Sequence, residues 1–137
     1  MKKLVINNNK LHELNGLKKL HFLEEIQVKN NYIKVLEGIE DCILLRILDI
    51  SNNRIEKLSD RFYFIFLNQL NLSQNMLVML PNMFLPSLEE LFLNDNKLAE
   101  ENQCIVYLPN LKFLNIDNNN ILGFGTIWSL LRYSQNL

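Results

Sequence analysis

Cysteine, proline and glycine are scarce in this chain, with two, three and four copies among 137 residues. Two cysteines are too few for the disulfide framework of a small secreted domain and favour a reducing compartment. So little glycine and proline argues against collagen-like or linker-like sequence. Neither sign of charge is in excess, with 14 basic and 15 acidic residues, so the composition favours neither nucleic acid nor a membrane surface as partner.

Long apolar runs are missing as well. No run approaches the roughly 18 apolar residues of a membrane-spanning helix, so no spanning segment is expected. The first ten residues, MKKLVINNNK, hold too short an apolar stretch for a signal peptide. These absences predict a cytoplasmic protein.

Leucine and asparagine are abundant instead, with 28 and 21 copies. An asparagine followed two residues later by leucine or isoleucine recurs at intervals of 21 to 23 residues. Apolar residues stand eight, five and three positions before each of these asparagines, with Met1 the only unusual occupant. The recurring asparagines are Asn9, Asn31, Asn53, Asn75, Asn96 and Asn119. A pattern kept over six copies indicates a repeat protein.

The repeated segments resemble the leucine-rich repeat, L-x-x-L-x-L-x-x-N-x-L, as in LRILDISNNRI from Leu45 and LEELFLNDNKL from Leu88. The resemblance covers the whole chain and implies a single α/β solenoid domain over residues 1–137. It implies a horseshoe or arc of six repeats starting near residues 1, 23, 45, 67, 88 and 111. A parallel sheet is expected on the concave side, with a 3₁₀-helical, helical or irregular convex side.

The residues after each asparagine narrow the resemblance to a subclass. Repeat 1 has leucine at every third position from Leu11 to Leu23, and repeat 2 nearly keeps this spacing. The pattern resembles the 22-residue subclass named for the regulatory subunit of type-one protein phosphatase. Later repeats depart from it, because Arg61 and Glu101 occupy apolar columns and prolines interrupt repeat 4.

The spacing also has a direct physical interpretation. Apolar residues five and three positions before the asparagine lie on one side of a short strand, because side chains alternate along a strand. Apolar residues at steps of three suit a 3₁₀-like return, in which every third side chain eclipses. No repeat can bury its own apolar face, so successive repeats are expected to stack with their strands parallel.

The asparagine column has a structural rather than a chemical interpretation. A buried asparagine amide can donate to and accept from backbone groups that a turn leaves unpaired. Since all six copies carry the asparagine whatever surrounds it, we predict a structural ladder that links neighbouring repeats.

No arrangement of residues predicts catalysis, a metal site or a cofactor. His12 and His21 stand alone, without the ligand spacing of a metal site. Cys42 and Cys104 are three repeats apart, which predicts a separation of roughly 14 Å, too far for a disulfide. They are expected to be buried thiols in apolar columns. The G-x-G at Gly123 lacks the rest of a nucleotide-binding pattern and is interpreted as a loop turn.

The predicted concave face contains the strand positions that point away from the core. Most of these positions are small or polar, but three carry large apolar side chains that would be exposed. Since these positions are free of core packing, their chemistry is interpreted as binding chemistry. The predicted partner-binding residues are Phe92, Phe113, Ile47, Glu90, Asn115, Asp49, Asn71 and Asp117. The alternative is that scattered apolar residues on a surface carry no function.

Charge and apolar residues are unevenly placed at the two ends. Residues 1–22 carry a net charge of +4 and residues 89–110 a net charge of −4. This asymmetry suits a bipolar partner or end-to-end self-association, with a merely solvated surface as the alternative. Met1 occupies a core position and Leu137 would open a seventh repeat, so the sequence resembles a segment of a longer protein.

The sequence therefore predicts a non-catalytic module that binds a protein partner on its concave face. The alternative function is a structural spacer or assembly module within a larger multidomain, cytoskeletal or ciliary protein. Because relatives of the subclass include a phosphatase regulator, a spliceosomal protein and ciliary dynein-associated chains, nuclear and ciliary locations are alternatives to the cytoplasm. Neither nucleic acid nor membrane is expected as a partner.

Overall fold

Six short parallel strands form the main sheet of this computed structural model, which describes residues 1–60, 62–99, 104–134 and 136–137. The main sheet has the order β1-β2-β4-β7-β9-β11, so strands of successive repeats are neighbours. In chain order, the strands are β1 (Lys3–Val5), β2 (Glu25–Gln27), β3 (Val35–Leu36), β4 (Ile47–Asp49), β5 (Lys57–Leu58), β6 (Phe62–Tyr63), β7 (Gln69–Asn71), β8 (Met83–Phe84), β9 (Glu90–Phe92), β10 (Val106–Tyr107) and β11 (Phe113–Asn115). The parallel solenoid predicted from the repeat spacing is confirmed.

The strands of the main sheet pair in strict register. Leu48 at the centre of β4 lies opposite Ile26 of β2 and Leu70 of β7. The central residues of β2, β4, β7 and β9 are fully buried, while the residues on either side of them are partly or fully exposed. The sheet therefore has one face on the core. Its other face, formed by the first and third residues of each strand and called the concave face below, is open to solvent.

The core consists of apolar columns that run from repeat to repeat. In repeat 2 the columns are filled by Ile33, Leu36, Ile39, Cys42 and Leu45, all of them buried. Burial of one such aliphatic side chain stabilises the fold by roughly 1.5–3 kcal/mol relative to exposure. Each column is covered by the next repeat, so the stabilisation is shared between neighbours.

A residue with positive φ precedes each recurring asparagine, three residues after the end of the concave strand. The angle lies between 51° and 58° at all six positions, which are Asn8, Asn30, Asn52, Gln74, Asp95 and Asn118. Asparagine and aspartate adopt this left-handed conformation more readily than other non-glycine residues. Each turn is thus formed by a pair of residues, a positive-φ residue followed by the recurring asparagine. The sequence analysis identified only the asparagine.

The return segments differ from the expected 3₁₀ pattern. Among the described residues, one 3₁₀ turn occurs, at Leu17–Lys19 in repeat 1. Later returns pass through two-residue strands, which form the pair β3-β5 and the sheet β10-β8-β6. Aromatic and β-branched side chains favour extended backbone, and residues 62–64 and 83–85 alternate between buried and exposed as strands do.

The loop turn predicted for residues 123–125 is wrong, because only Gly123 lies in a bend, whereas Phe124 and Gly125 belong to helix α1 (Phe124–Leu131). The helix buries Leu130 and packs Leu131 against the core, as apolar residues on one helical face do. Within the described residues, no helix is both long and apolar enough to cross a membrane.

Candidate functional site

Asn53 lies buried between two repeats, and its side-chain amide contacts the backbone of both. Its Nδ2 donates to the carbonyl oxygens of Ile50 at 3.0 Å and Ser51 at 3.2 Å, and to that of Val28 in the preceding repeat at 3.0 Å. Its Oδ1 accepts from the backbone N–H of Ile33 at 3.1 Å. One amide thus serves four backbone groups, which would otherwise be costly to bury.

The same bonds recur along the asparagine column. At Asn31, Asn75, Asn96 and Asn119, Nδ2 donates to a carbonyl of the preceding repeat and Oδ1 accepts an N–H from it. Asn9 is different, because its Nδ2 donates to the carbonyl of Asn7 in its own repeat. These contacts occupy the asparagine amides with backbone, which supports the predicted structural role rather than partner binding.

The concave face brings two of the predicted binding residues into contact. On neighbouring strands, Phe113 lies opposite Glu90 and Asn115 lies opposite Phe92. The two phenylalanine rings touch diagonally, with 5.1 Å between their centroids and 42° between their planes. Phe113 is 45 % exposed and Phe92 is half-buried. These two rings are called the Phe92–Phe113 patch below.

Contact between the rings limits how a partner can use them. A separation of about 8 Å between their Cβ atoms, expected from strand geometry, would let the rings either share one partner pocket or flank one inserted side chain. An inserted group needs about 3.5–4 Å of carbon–carbon distance on each side. The centroid distance of 5.1 Å leaves no room for it. The patch can therefore offer only a continuous aromatic surface.

Amide and carboxyl side chains beside the patch are held by their own strands. Oδ1 of Asn71 accepts from both the backbone N–H and the hydroxyl of Ser73, and Oδ1 of Asn115 accepts from the N–H of Asp117. Asp49 accepts in the same way from the residue two positions later. These bonds fix the side chains and leave the amide nitrogens of Asn71 and Asn115 without a partner among the described residues.

Ile47 does not join the patch. It lies on β4, with Glu25 opposite it on one side and Gln69 on the other. Two strands therefore separate it from Phe113, and its surroundings are polar. The concave face has one aromatic patch and a separate, half-buried isoleucine.

Two segments of the chain match the Leucine Rich Repeat family, over residues 44–64 and 110–132. The first covers repeat 3 and the second covers the last repeat. The fold is that of a leucine-rich repeat protein. No curated protein matches the chain at a significant level.

Ion pairs of the leucine-rich repeat solenoid link neighbouring repeats at its amino-terminal end. Lys2 pairs with Glu24 at 2.8 Å and Lys3 with Glu25 at 2.9 Å, and these contacts hold the pKa values of both carboxyl groups below their usual range. Part of the predicted positive charge is therefore neutralised locally. In the acidic segment, Glu100 and Glu101 lie outside the described residues.

A second aromatic surface lies on the return side of the solenoid. Phe84 and Tyr107 stack in parallel on neighbouring strands, with 5.1 Å between ring centroids and 8° between planes. Tyr63 lies opposite Phe84 on the other side, and Tyr133 contacts Tyr107 at 5.7 Å. A groove of about 470 Å³ runs along this row, lined by Tyr63, Ile65, Asn82, Met83, Phe84, Ile105 and Tyr107.

This second surface was missed by the sequence interpretation, although a signal for it exists. The segments Phe62–Phe64, 83–85 and 106–108 each place an aromatic residue between two buried apolar residues. That alternation is typical of strands. The sequence analysis expected apolar residues at every third position of the return segments and therefore did not consider this alternating pattern.

The thiols and imidazoles of the leucine-rich repeat solenoid form no chemical centre in the part of the chain that the structure describes. Cys42 is buried and Cys104 is half-buried, both are free thiols, and burial raises the pKa of each. The ring of His12 contacts Tyr32 at 5.7 Å, and His21 lies in another part of the surface beside the carbonyl of Asp41. No group of three or more potential metal ligands occurs among the described residues.

Proposed function

We propose that this leucine-rich repeat solenoid is a non-catalytic protein-interaction module that binds a protein partner on its concave face. The Phe92–Phe113 patch carries the proposal. It is a partly exposed aromatic surface on strand positions that have no part in the core. Aromatic residues with a polar rim are the usual anatomy of an interface hot spot.

The surroundings of the patch supply that polar rim. Asn71 and Asn115 lie on either side of Phe92, in register with it on the adjacent strands. Their oxygens are already engaged, so each amide can offer its nitrogen as a donor to a partner backbone. Glu90 lies opposite Phe113 and is exposed. These groups are fixed before binding, which lowers the entropic cost of association.

A comparison of two ring pairs tests the proposal. Proteins captured from a cell lysate are compared for the wild type, for the double variant Phe92→Ala with Phe113→Ala, and for Phe84→Ala with Tyr107→Ala. The second pair is a matched control, since its centroids are also 5.1 Å apart and Phe84 is 44 % exposed. Circular dichroism establishes that both variants remain folded.

Loss of captured proteins only with the concave variant supports the proposal, because a buried aromatic anchor commonly contributes about 2 kcal/mol or more to binding. The same set of proteins captured by the wild type and the concave variant would contradict it. Loss only with the control pair would locate the interface on the return side.

The alternative function, an assembly module or spacer in a larger protein, is favoured by the exposed surface of the last repeat. Leu122, Phe124 and Trp128 are 89 %, 75 % and 71 % exposed. Trp128 is the only tryptophan, so its fluorescence reports on this surface alone. A blue shift of its emission with rising protein concentration, together with faster sedimentation, would support end-to-end self-association. Unchanged emission and a monomer at every concentration would contradict it.

We propose further that the chain belongs to a particular subclass of leucine-rich repeat proteins. Regular spacing in repeats 1 and 2 supports the subclass named for the regulatory subunit of type-one protein phosphatase. We also propose a cytoplasmic location, with the nucleus and the cilium as alternatives. The subclass supports these locations, and the two free thiols suit a reducing compartment. Microscopy of the tagged protein in its own cells tests the location.

A further inference from the structure

Carboxylates surround the Phe92–Phe113 patch without a matching cation. Glu90 lies opposite Phe113, and its Oε2 accepts a hydrogen bond from Gln69 at 2.8 Å. Asp117 is exposed two residues beyond Asn115, and its backbone N–H donates to Oδ1 of Asn115. Neither carboxylate has an ion pair with any described residue, so both can take a cation from a partner.

A third carboxylate, Asp95, follows the strand that carries Phe92. Its Oδ1 accepts from Nδ2 of Asn118 at 2.8 Å and its Oδ2 from Nδ2 of Asn94 at 2.7 Å. These bonds hold the pKa of Asp95 below its usual range, so the group stays ionised at neutral pH. The negative charge of Asp95, on the turn three residues past Phe92, is therefore a permanent feature of the folded chain.

The cations of the concave face lie elsewhere and are already paired. Lys3 pairs with Glu25 at 2.9 Å and Lys29 pairs with Asp49 at 3.5 Å, both in the first three repeats. Near the patch, Lys112 pairs with Glu89 at 2.9 Å. Lys97 follows the ladder residue Asn96, two residues past the turn residue Asp95, and so lies outside strand β9. The unpaired charge around the two rings is negative.

A ring face and a carboxylate side by side favour the same ligand group. The face of a phenyl ring attracts cations through its quadrupole, and a carboxylate attracts them by charge. The guanidinium group suits both contacts, because it stacks flat on a ring and donates two parallel hydrogen bonds to a carboxylate. An acidic ligand would instead meet repulsion from Glu90 at the rings and from Asp117 and Asp95 on the turns beyond the strands.

We propose that the partner presents a basic, arginine-containing segment to the concave face, with a guanidinium over the Phe92–Phe113 patch and Glu90 as its counter-ion, and with a second basic group of the segment near Asp117. This inference rests on the proposed function, since it names the partner chemistry of the same surface. A basic partner is expected to prefer the concave face to the groove on the return side, because the residues that line the groove are uncharged.

Three labelled probe peptides test the inference by fluorescence anisotropy. The first alternates arginine with serine, the second replaces each arginine by citrulline, and the third replaces it by glutamate. Citrulline has nearly the same shape as arginine but no charge. We expect the arginine peptide to bind about tenfold more tightly than the citrulline peptide, and binding to weaken as salt increases.

Variants of the chain locate the contact. Glu90→Gln and Asp117→Asn should each weaken binding of the arginine peptide by about two- to fivefold. Phe92→Ala with Phe113→Ala should weaken it further. Glu56→Gln is the matched control, because Glu56 is exposed, has no ion pair with the described residues and lies outside the concave strands. It should leave the affinity unchanged.

Failure of this inference and failure of the proposed function give different results. Equal binding of the arginine and citrulline peptides, tighter binding of the glutamate peptide, or no binding of the arginine peptide would each overturn the basic-partner inference. So would an equal loss of affinity in the Glu56→Gln control and the Glu90→Gln variant. Loss of lysate capture in the Phe92 and Phe113 variant would still support the concave interface in all of these cases.

Discussion

Asn52 donates through Nδ2 to Oδ1 of Asn30, which lies 22 residues earlier, and the two atoms are 2.7 Å apart. Asn30 donates in the same way to Asn8 at 2.6 Å. All three residues have positive φ. An exposed ladder of side chains therefore runs beside the buried one through the first three repeats. The next position in this ladder is Gln74.

Replacement of Gln74 by asparagine should stabilise the protein. Gln74 has a φ of 55°, which costs more for glutamine than for asparagine, and its neighbour Asn52 offers a partner for a new hydrogen bond. We expect Gln74→Asn to raise the free energy of unfolding by about 0.5–1 kcal/mol in urea denaturation. Gln74→Ala is the control and should bring no such gain. A gain of equal size with alanine would show that conformation at this position is not the cause.

Replacement of Asn53 by leucine should destabilise the fold. The substitution leaves four buried backbone groups without their side-chain partner, at a cost of roughly 1–3 kcal/mol. Asn9→Leu is the matched control, since the amide of Asn9 contacts only its own repeat. Thermal and urea denaturation of both variants measure the difference. An unchanged melting curve for Asn53→Leu would refute the structural role of the ladder.

The main sheet was predictable from sequence because its signal is repeated in every copy. Leu48, Ile50 and Asn53 occupy positions that recur in all six repeats, so each copy reinforces the same interpretation. The return side was not predictable to the same degree. There, Phe62 and Phe64 follow a period of two, whereas residues 11–23 follow a period of three. A 3₁₀ turn in repeat 1 and a short strand at Phe62–Tyr63 both place apolar side chains in the core, so the apolar pattern alone does not predict which one forms.

The aromatic patch was predictable in position but not in geometry. Strand alternation was enough to expect Phe92 and Phe113 on the outer face of neighbouring strands. Contact between the rings depends on the rotamer that each side chain adopts, which a repeat pattern does not specify. The positive φ before each asparagine was visible as a doublet, such as Asn30-Asn31, but an asparagine alone does not distinguish a turn residue from a ladder residue.

A buried aromatic residue should contribute more to the free energy of unfolding than an exposed one. Phe64 is 1 % exposed and meets Phe62 edge to face at 5.1 Å. Phe64→Ala should cost about 3–5 kcal/mol, the usual range for a buried phenylalanine. Phe113→Ala, at a position that is 45 % exposed, should cost much less. Urea denaturation of the two variants checks the order, and similar losses would mean that Phe113 belongs to the core.

The low pKa of Asp95 predicts a pH-dependent contribution to stability. Because the folded pKa lies below the unfolded one, the contribution is complete above the unfolded value and is lost as the pH falls through the folded value. Asp95→Asn keeps a residue that tolerates positive φ but removes the charge. The stability difference between wild type and variant should be largest at neutral pH and shrink in acid. A difference that is independent of pH would contradict the assignment.

The two thiols should differ in reactivity. Cys42 is fully buried, while Cys104 is half-buried, and burial raises the pKa of both. A thiol reagent at neutral pH should therefore modify Cys104 slowly and Cys42 only after unfolding. Mass spectrometry of the partly modified protein identifies the site. Modification of Cys42 at the rate of Cys104 in the native protein would show that its column opens to solvent.

From Asn31 onward, each ladder asparagine bonds to its own repeat and to the repeat immediately before it but to no repeat farther away, and this has a consequence for how such a chain changes in evolution. Removal of residues 45–66 would join residue 44 to Leu67 and bring Asn75 next to the carbonyl of Val28 in place of that of Ile50. Every bond of the asparagine ladder would find an equivalent partner. Recombination between two copies of the repeat could therefore add or delete a whole turn without a compensating mutation elsewhere. The number of repeats can vary independently of the Phe92–Phe113 patch.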